Sequence, residues 1–504
     1  MEAIMRKTFT NHIDSIIAAL VGGVLIILYT NHNGLGISPD SIYYTSASDA
    51  WVKGNGWIQF DQTPLVMFPV GYPFLLGVLH FIFPQGIIPI MPFVNALLFA
   101  IVILLSGVMI EKINLSKWFK WILLLLIVAS PTLIEIYSML WSETLFIVEI
   151  LVFIFCAQTY FTNTNFKNLL MMALVSAIAT ITRFAGVTLI MAGGLLLLLD
   201  NRLILQKKIK EVFIFGCVSI SLLVINLSRN LYLTNTFTGI RQKGQTPFTT
   251  NLKLVGEVIA DWLPGTHFII GFSQIIGAVF IIILGSIFLF RTIKGLTLNS
   301  YEKIAATFSI VFASFMLVSA TLSRYEPINS RLMSPLYIPF LFTLSFYGKS
   351  LVQLVRTSFL KKITQWTLVI LSVVALYEFV VYDQANYVEV HEGGIGSYSD
   401  DDWAFSPLLK ELQVNHSYFQ KGQPVYSNAS HAVYYYAHEN ISILPEKAHA
   451  QKVEVFNNIP QNILIWFHNE ENFDLLSLEE IKAHKNLTVL KEFKDGIIFQ
   501  CAKK

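Results

Sequence analysis

The chain is divided into long apolar runs joined by short polar connections, and no other feature limits its fold as strongly. A run of about 20 mostly apolar residues is long enough to cross a hydrocarbon core, and about eleven such runs can be marked. They centre near Ala19, Ala100, Leu126, Val152, Val175, Met191, Ser221, Ile281, Phe312, Phe340 and Val373. Backbone in lipid must satisfy its own hydrogen bonds, so runs of this length form helices. Only 13% of the 504 residues are charged, against roughly 25% in soluble domains. The expected fold is a mainly α, polytopic membrane protein. Nothing in the pattern points to nucleic acid as a partner.

Charge then separates two regions. Residues 382–504 hold 10 Lys+Arg and 17 Asp+Glu, a net −7, while residues 1–381 hold 25 and 16, a net +9. This predicts a transmembrane domain over 1–381 and a small soluble α/β domain over 382–504. In the tail, Ser406-Pro407 reads as a helix start, and 424–427 and 462–467 as strands. Ser477-Leu478-Glu479-Glu480 is a capping-box pattern, and Lys494-Asp495-Gly496 a hairpin turn. Asp400-Asp401-Asp402 reads as a solvated loop. His431, His438, His449 and His468 show no ligand spacing and read as surface, and Tyr434-Tyr435-Tyr436 as core or interface. Cys156, Cys217 and Cys501 form no disulfide or metal-type pattern.

Loop charge orients the chain. If residues 65–110 hold one span, the loops on the N-terminal side carry 17 Lys+Arg and the opposite loops eight. The positive-inside rule then places the N-terminus in the cytoplasm and the C-terminal domain outside. The first apolar run lacks a cleavage site and reads as a signal anchor. Residues 32–87 become a long exterior loop, in which 74–83 form a juxtamembrane helix started by Pro73.

This topology collects a set of ionisable groups on the exterior face. Asp40 follows the first span, Glu143 opens the fourth, and Arg183 sits between two spans. Arg241 and Lys243 lie in a long loop, and Arg324 and Arg331 flank Tyr325-Glu326-Pro327. Exterior cations run against the positive-inside bias. Arg binds phosphate oxygens bidentately, so a lipid-linked phosphate would account for them; snorkelling to headgroups is the plainer reading. A carboxylate at the boundary can take a hydroxyl proton or hold a divalent metal. Asp40 and Glu143 are also read as helix-start acids, with Ser142 a plausible cap. Asp49 and Asp61 are weaker candidates in the same loop, and Glu135 and Glu149 lie nearer membrane depth.

Five motifs in this order resemble the bacterial branch of the GT-C glycosyltransferases, near aminoarabinose transferases and protein O-mannosyltransferases. They are Asp40 with Tyr43-Tyr44, Pro69-Val70-Gly71-Tyr72-Pro73, Ser142-Glu143 with Leu145-Phe146, Thr182-Arg183, and Arg331 followed by Pro335. The resemblance spans residues 13–346. It implies a polyprenyl-phosphate sugar donor, an exterior active site in a bacterial inner membrane, and inversion at the anomeric carbon. Asp40 would be the base or the acid orienting the acceptor, and Glu143 the second acid. Arg331 would face the donor phosphate, with Arg183, Arg324, Arg241 and Lys243 as further phosphate-binding candidates. The acceptor would be an exterior glycan, lipid or protein. The juxtamembrane helix lacks His-Pro-Pro, and Asp40 lacks an adjoining Glu, which argues against protein O-mannosylation and leaves metal dependence open. A polymerase or ligase of lipid-linked oligosaccharide, with residues 231–265 as its active loop, is an alternative, as is a flippase. A flippase would be expected to show repeated halves, and none are seen.

Overall fold

A computed structural model describes residues 12–504 apart from 114–115, 266–274, 276, 280–281, 283–284, 287–297, 325, 420–421 and 471. The expected span near Ile281 and Tyr325 lie outside the described residues. The helices in chain order are α1 (Ile13–Tyr29), α2 (Pro39–Val52), α3 (Gly71–Ile82), α4 (Met91–Lys112), α5 (Lys117–Val128), α6 (Pro131–Ser138), α7 (Glu143–Thr162), α8 (Phe166–Thr182), α9 (Val187–Leu199), α10 (Leu205–Thr234), α11 (Phe248–Asp261), α12 (Tyr301–Leu322), α13 (Ser330–Leu354) and α14 (Ser358–Gly393). Every other expected span centre falls in one of them.

Among the described residues five helices are long and apolar enough to cross a membrane, or six if α5 and α6, bent by 46°, count as one span. The helices α1, α3, α8 and the stretch Phe184–Leu199 are apolar but shorter. The chain is an integral membrane protein. It falls into two compact units: one is Met1–Tyr29, Val66–Tyr72 and Ile90–Val388, the other Thr30–Leu65, Pro73–Pro89 and Glu389–Lys504.

In the first unit, buried polar side chains tie helices together where no water can reach. The Asn95 amide donates to Tyr137 O and Met139 O, both at 2.9 Å. The Tyr337 hydroxyl donates to Leu126 O at 2.8 Å. Buried Lys120 meets Asp14 at 2.7 Å. Such bonds at membrane depth satisfy groups that would otherwise cost several kcal/mol.

The second unit joins the loop after α1 to the C-terminal tail. The tail adds α15 (Asp401–Ala404), α16 (Pro407–Val414), α17 (Ser430–Ala437), α18 (Ala450–Asn458) and α19 (Leu478–His484). Its strands are β1 (Val425–Ser427), β2 (Ser442–Ile443), β3 (Gln461–Phe467), β4 (Lys485–Glu492) and β5 (Gly496–Lys503), ordered β2-β1-β3-β5-β4. The first three are parallel; β5 is antiparallel to β3 and to β4. Leu464, Phe456, Ile481, Phe499 and Cys501 form its core. Ser406 caps α16, and Ser477 with Glu480 forms the expected capping box on α19. Loop and tail are stitched by backbone: Tyr398 N donates to Ile37 O at 2.9 Å, and Ile37 N to Ser397 Oγ at 2.9 Å.

Two expectations fail here. Asp400 is not in a solvated loop but caps α15, accepting from Trp403 N at 3.2 Å, while Asp401 accepts from Asn33 at 2.8 Å. His431 is half-buried, not an ordinary surface histidine. It sits among Tyr43, Phe60 and Tyr398, because α17 turns it inward.

Candidate functional site

Three helix ends of the first unit converge on Glu143. It is the first residue of α7, where a carboxylate meets the positive end of the helix dipole. Ser142, the expected cap, makes no capping bond. Its hydroxyl instead accepts from Arg183 Nη1 at 2.7 Å. Arg183 closes the C-terminus of α8 in an extended conformation, with φ −144° and ψ 143°. That turn swings its guanidinium to Glu143 Oε2 at 2.5 Å. Arg331 lies in the first turn of α13, which Asn329 caps. Its Nε donates to Glu143 Oε1 at 3.0 Å, and its guanidinium carbon stands 3.9 Å from the Trp141 ring centre. Glu326 lies 3.8 Å from Arg331 on the exposed side.

The reading of Glu143 as an exposed helix acid is therefore overturned. Its side chain is 1% exposed, against 20% for Arg183 and 14% for Arg331. A buried carboxylate is tolerable only when paired and hydrogen-bonded, and two arginines from distant helices supply that. With Glu326 beside Arg331, the two guanidinium groups are balanced by carboxylates, and their part-exposed faces can still meet an anion.

The surroundings hold this cluster in place. The Thr182 hydroxyl donates to buried Glu149 at 2.7 Å, fixing the end of α8 against α7. The Pro69-Val70-Gly71-Tyr72 motif lies across the same end. A β-carbon at Gly71 would stand 2.5 Å from Ile181 O and 2.9 Å from Thr182 N, so only glycine fits this approach.

Arg241, Lys243 and Arg324 form a second group in the same unit. Lys243 and Ser323 pair as an antiparallel bridge. Arg324 N donates to Gln242 O at 3.0 Å, and Arg324 Nη1 to Gln242 Oε1 at 2.6 Å. Arg241 Nη2 donates to Met67 O at 3.1 Å. Sequence reading gave no role to Arg229, which lies within α10 and donates to Asn230 at 3.0 Å. Asn230 in turn holds Phe237 O at 2.8 Å. An Arg inside the last two turns of an apolar run was the signal available.

Asp40 belongs to the second unit, in the first turn of α2. Ser38 opens that helix and donates its N–H to Ser41 Oγ at 3.0 Å, with Pro39 as first residue. Asp40 is partly exposed. Of the weaker candidates, Asp49 lies 3.2 Å from His80, and burial raises its carboxyl above the usual range. Asp61 caps its own turn, accepting from Thr63 N at 3.0 Å.

A divalent metal does not fit Glu143, whose two oxygens both face guanidinium groups. Among the described residues no group of three His, Cys, Asp or Glu side chains could hold one.

No family model matches this sequence, and no curated protein matches it in sequence. Solved structures do. ArnT from Cupriavidus metallidurans in the apo state superposes with a TM-score of 0.56 at 12% identity, over 95% of this chain and 97% of that one. The same protein bound to undecaprenyl phosphate gives 0.56 at 11% identity, over 97% of each. Arabinosyltransferase EmbB from Mycobacterium smegmatis gives 0.38 at 13% identity, over 75% of this chain and 41% of that one. At such identities the likeness concerns architecture, and over nearly its whole length this chain has the fold of ArnT, a GT-C protein.

Proposed function

We propose that this protein is a GT-C-type membrane glycosyltransferase that moves a sugar from a polyprenyl-phosphate donor to an acceptor outside the membrane. The observation that carries the reading is the Glu143–Arg183–Arg331 cluster, a fixed pair of part-exposed guanidinium groups in a fold shared with ArnT, which is known bound to undecaprenyl phosphate. A prenyl tail confines its phosphate to the membrane boundary, and two preset guanidinium groups match phosphate oxygens there. Glu143 orients the arginines in this reading and does not accept the proton.

Asp40 is the proposed base. As the acceptor oxygen attacks the anomeric carbon, its proton passes to the Asp40 carboxylate. The bond from that carbon to the phosphate oxygen breaks, polyprenyl phosphate leaves, and a single displacement inverts the centre. The roles of Asp40 and of the arginine cluster rest on different residues and are tested separately. The proposal includes eleven spans, a bacterial inner membrane, a cytoplasmic N-terminus and an exterior C-terminal unit. Arg241, Lys243 and Arg324 are proposed as secondary contacts for donor phosphate. A metal is not needed by this scheme.

Binding of radiolabelled undecaprenyl phosphate to purified protein tests the donor site. Wild type should bind saturably, and Arg183→Gln with Arg331→Gln, made on a Glu143→Gln background so that no buried carboxylate is left unpaired, should lose binding. Undiminished binding by that triple variant would overturn the assignment.

A further inference from the structure

The second unit contains a rigid connection from its sheet to the helix that carries Asp40. It begins at Asn428, after β1. The Asn428 amide donates to Phe467 O at 2.8 Å and to Glu470 O at 3.1 Å, and its carbonyl oxygen accepts from Phe467 N at 2.9 Å. The loop before α17 is thereby fastened to the end of β3. Two residues on, α17 starts, and its second residue is His431.

The His431 ring is enclosed by aromatic rings from three separate segments. Tyr43 of α2 meets it edge-on with centres 5.1 Å apart, and Phe60 does the same at 5.1 Å. Tyr398 stacks on it at 6.1 Å and 8°. Phe60 also touches Tyr43 at 5.7 Å and Tyr434 at 5.4 Å. Tyr43 lies three residues after Asp40, one helical turn away and on a neighbouring face. His431 Nε2 is buried with no hydrogen-bond partner. The ring is thus retained for its shape and faces, since an unmet polar atom in this setting is a cost.

We infer that His431 is a positioning residue, which through Tyr43 fixes the angle of α2 and with it the carboxylate of Asp40. The inference rests on the proposed role of Asp40 for its catalytic consequence, but the clamp itself is testable without any activity. Truncating the ring frees one turn of α2 from the tail, and a base displaced by an ångström loses rate on the order of 100-fold.

Hydrogen exchange on the full-length protein, with His431→Ala and His431→Phe, provides the test. In His431→Ala, amides of residues 39–52 should exchange about tenfold faster, while those of α10 keep their wild-type rates. His431→Phe keeps a flat ring and removes the unmet nitrogen, so it should restore slow exchange. Sugar transfer should follow the same order: kcat falls at least about tenfold in His431→Ala with donor KM unchanged, and returns in His431→Phe. Unchanged exchange in α2 for His431→Ala overturns the clamp, as does failure of Phe to restore it. Fast exchange with normal kcat overturns the catalytic consequence. If wild type itself transfers no sugar, the proposed function fails, and the exchange data still decide the clamp.

Discussion

Replacing Glu143 by Gln tests how the arginine cluster is built. Glu143 is 1% exposed and accepts from Arg183 at 2.5 Å and Arg331 at 3.0 Å. Gln keeps the shape but takes the buried counter-charge from both guanidinium groups and leaves Arg331 only the more distant, exposed Glu326. Removing one partner of a buried ion pair costs about 3–5 kcal/mol, chiefly because the remaining charge is uncompensated. An exposed helix-start acid would contribute only ~0.3–1 kcal/mol through the dipole. The two readings therefore differ several-fold, enough for chaotrope titration in mixed micelles to separate them. Arg183→Gln should cost less, about 1–3 kcal/mol, since Glu143 keeps Arg331. The double variant should be more stable than the summed single losses allow, with a coupling of about 1–3 kcal/mol. Single losses that add to within ~0.5 kcal/mol would refute the cluster as an energetic unit.

Asp40→Asn should abolish transfer while donor binding and folding persist; turnover near wild type would remove Asp40 as base. Arg331→Lys keeps charge but loses the planar fork, so donor KM should rise about tenfold or more, roughly 1.4 kcal/mol, with acceptor KM unchanged. Gly71→Ala should destabilise the first unit by about 1–3 kcal/mol, because the added methyl meets backbone at the end of α8; an unchanged unfolding midpoint would contradict the close approach. Burial holds His431 down to about 4 from its ordinary 6.5. Above pH 6.5 neither folded nor unfolded chain binds the proton, so no effect is expected. Between 6.5 and 4 the unfolded chain binds it first, so stability falls as pH falls, by about 3 kcal/mol in full. Exchange protection of β3 that is the same at pH 7 and pH 4.5 would contradict this burial.

Local chemistry was legible in the sequence. Ser406-Pro407 and the Ser477–Glu480 box each start a helix as read, because a cap needs only residues within one turn. The hairpin at Lys494-Asp495-Gly496 joins β4 to β5, and the helix expected over 74–83 forms as α3, which begins earlier, at Gly71. The partners of Glu143 were not legible. Arg331 is 188 positions away, and nothing local encodes which of several arginines reaches it. Loop charge put Glu143, Arg183 and Arg331 on one expected face; only packing made them one cluster. Burial misled in the same way. Ser142-Glu143 has the pattern of an exposed helix start, and His431 sits among polar residues of an acidic tail. Both are enclosed by segments far away in sequence.

The central claim is that sugar leaves a lipid phosphate on this protein. Purified protein in liposomes, supplied with polyprenyl-phosphate sugars extracted from its host's membranes together with the remaining envelope glycans and lipids, can be followed by mass spectrometry of the lipid pool. The account predicts that one glycolipid disappears with time as free polyprenyl phosphate appears in equal amount, and that Asp40→Asn stops both. Glycolipid that changes leaflet with its sugar still attached, in wild type and Asp40→Asn alike, would contradict the account and mark the protein as a carrier.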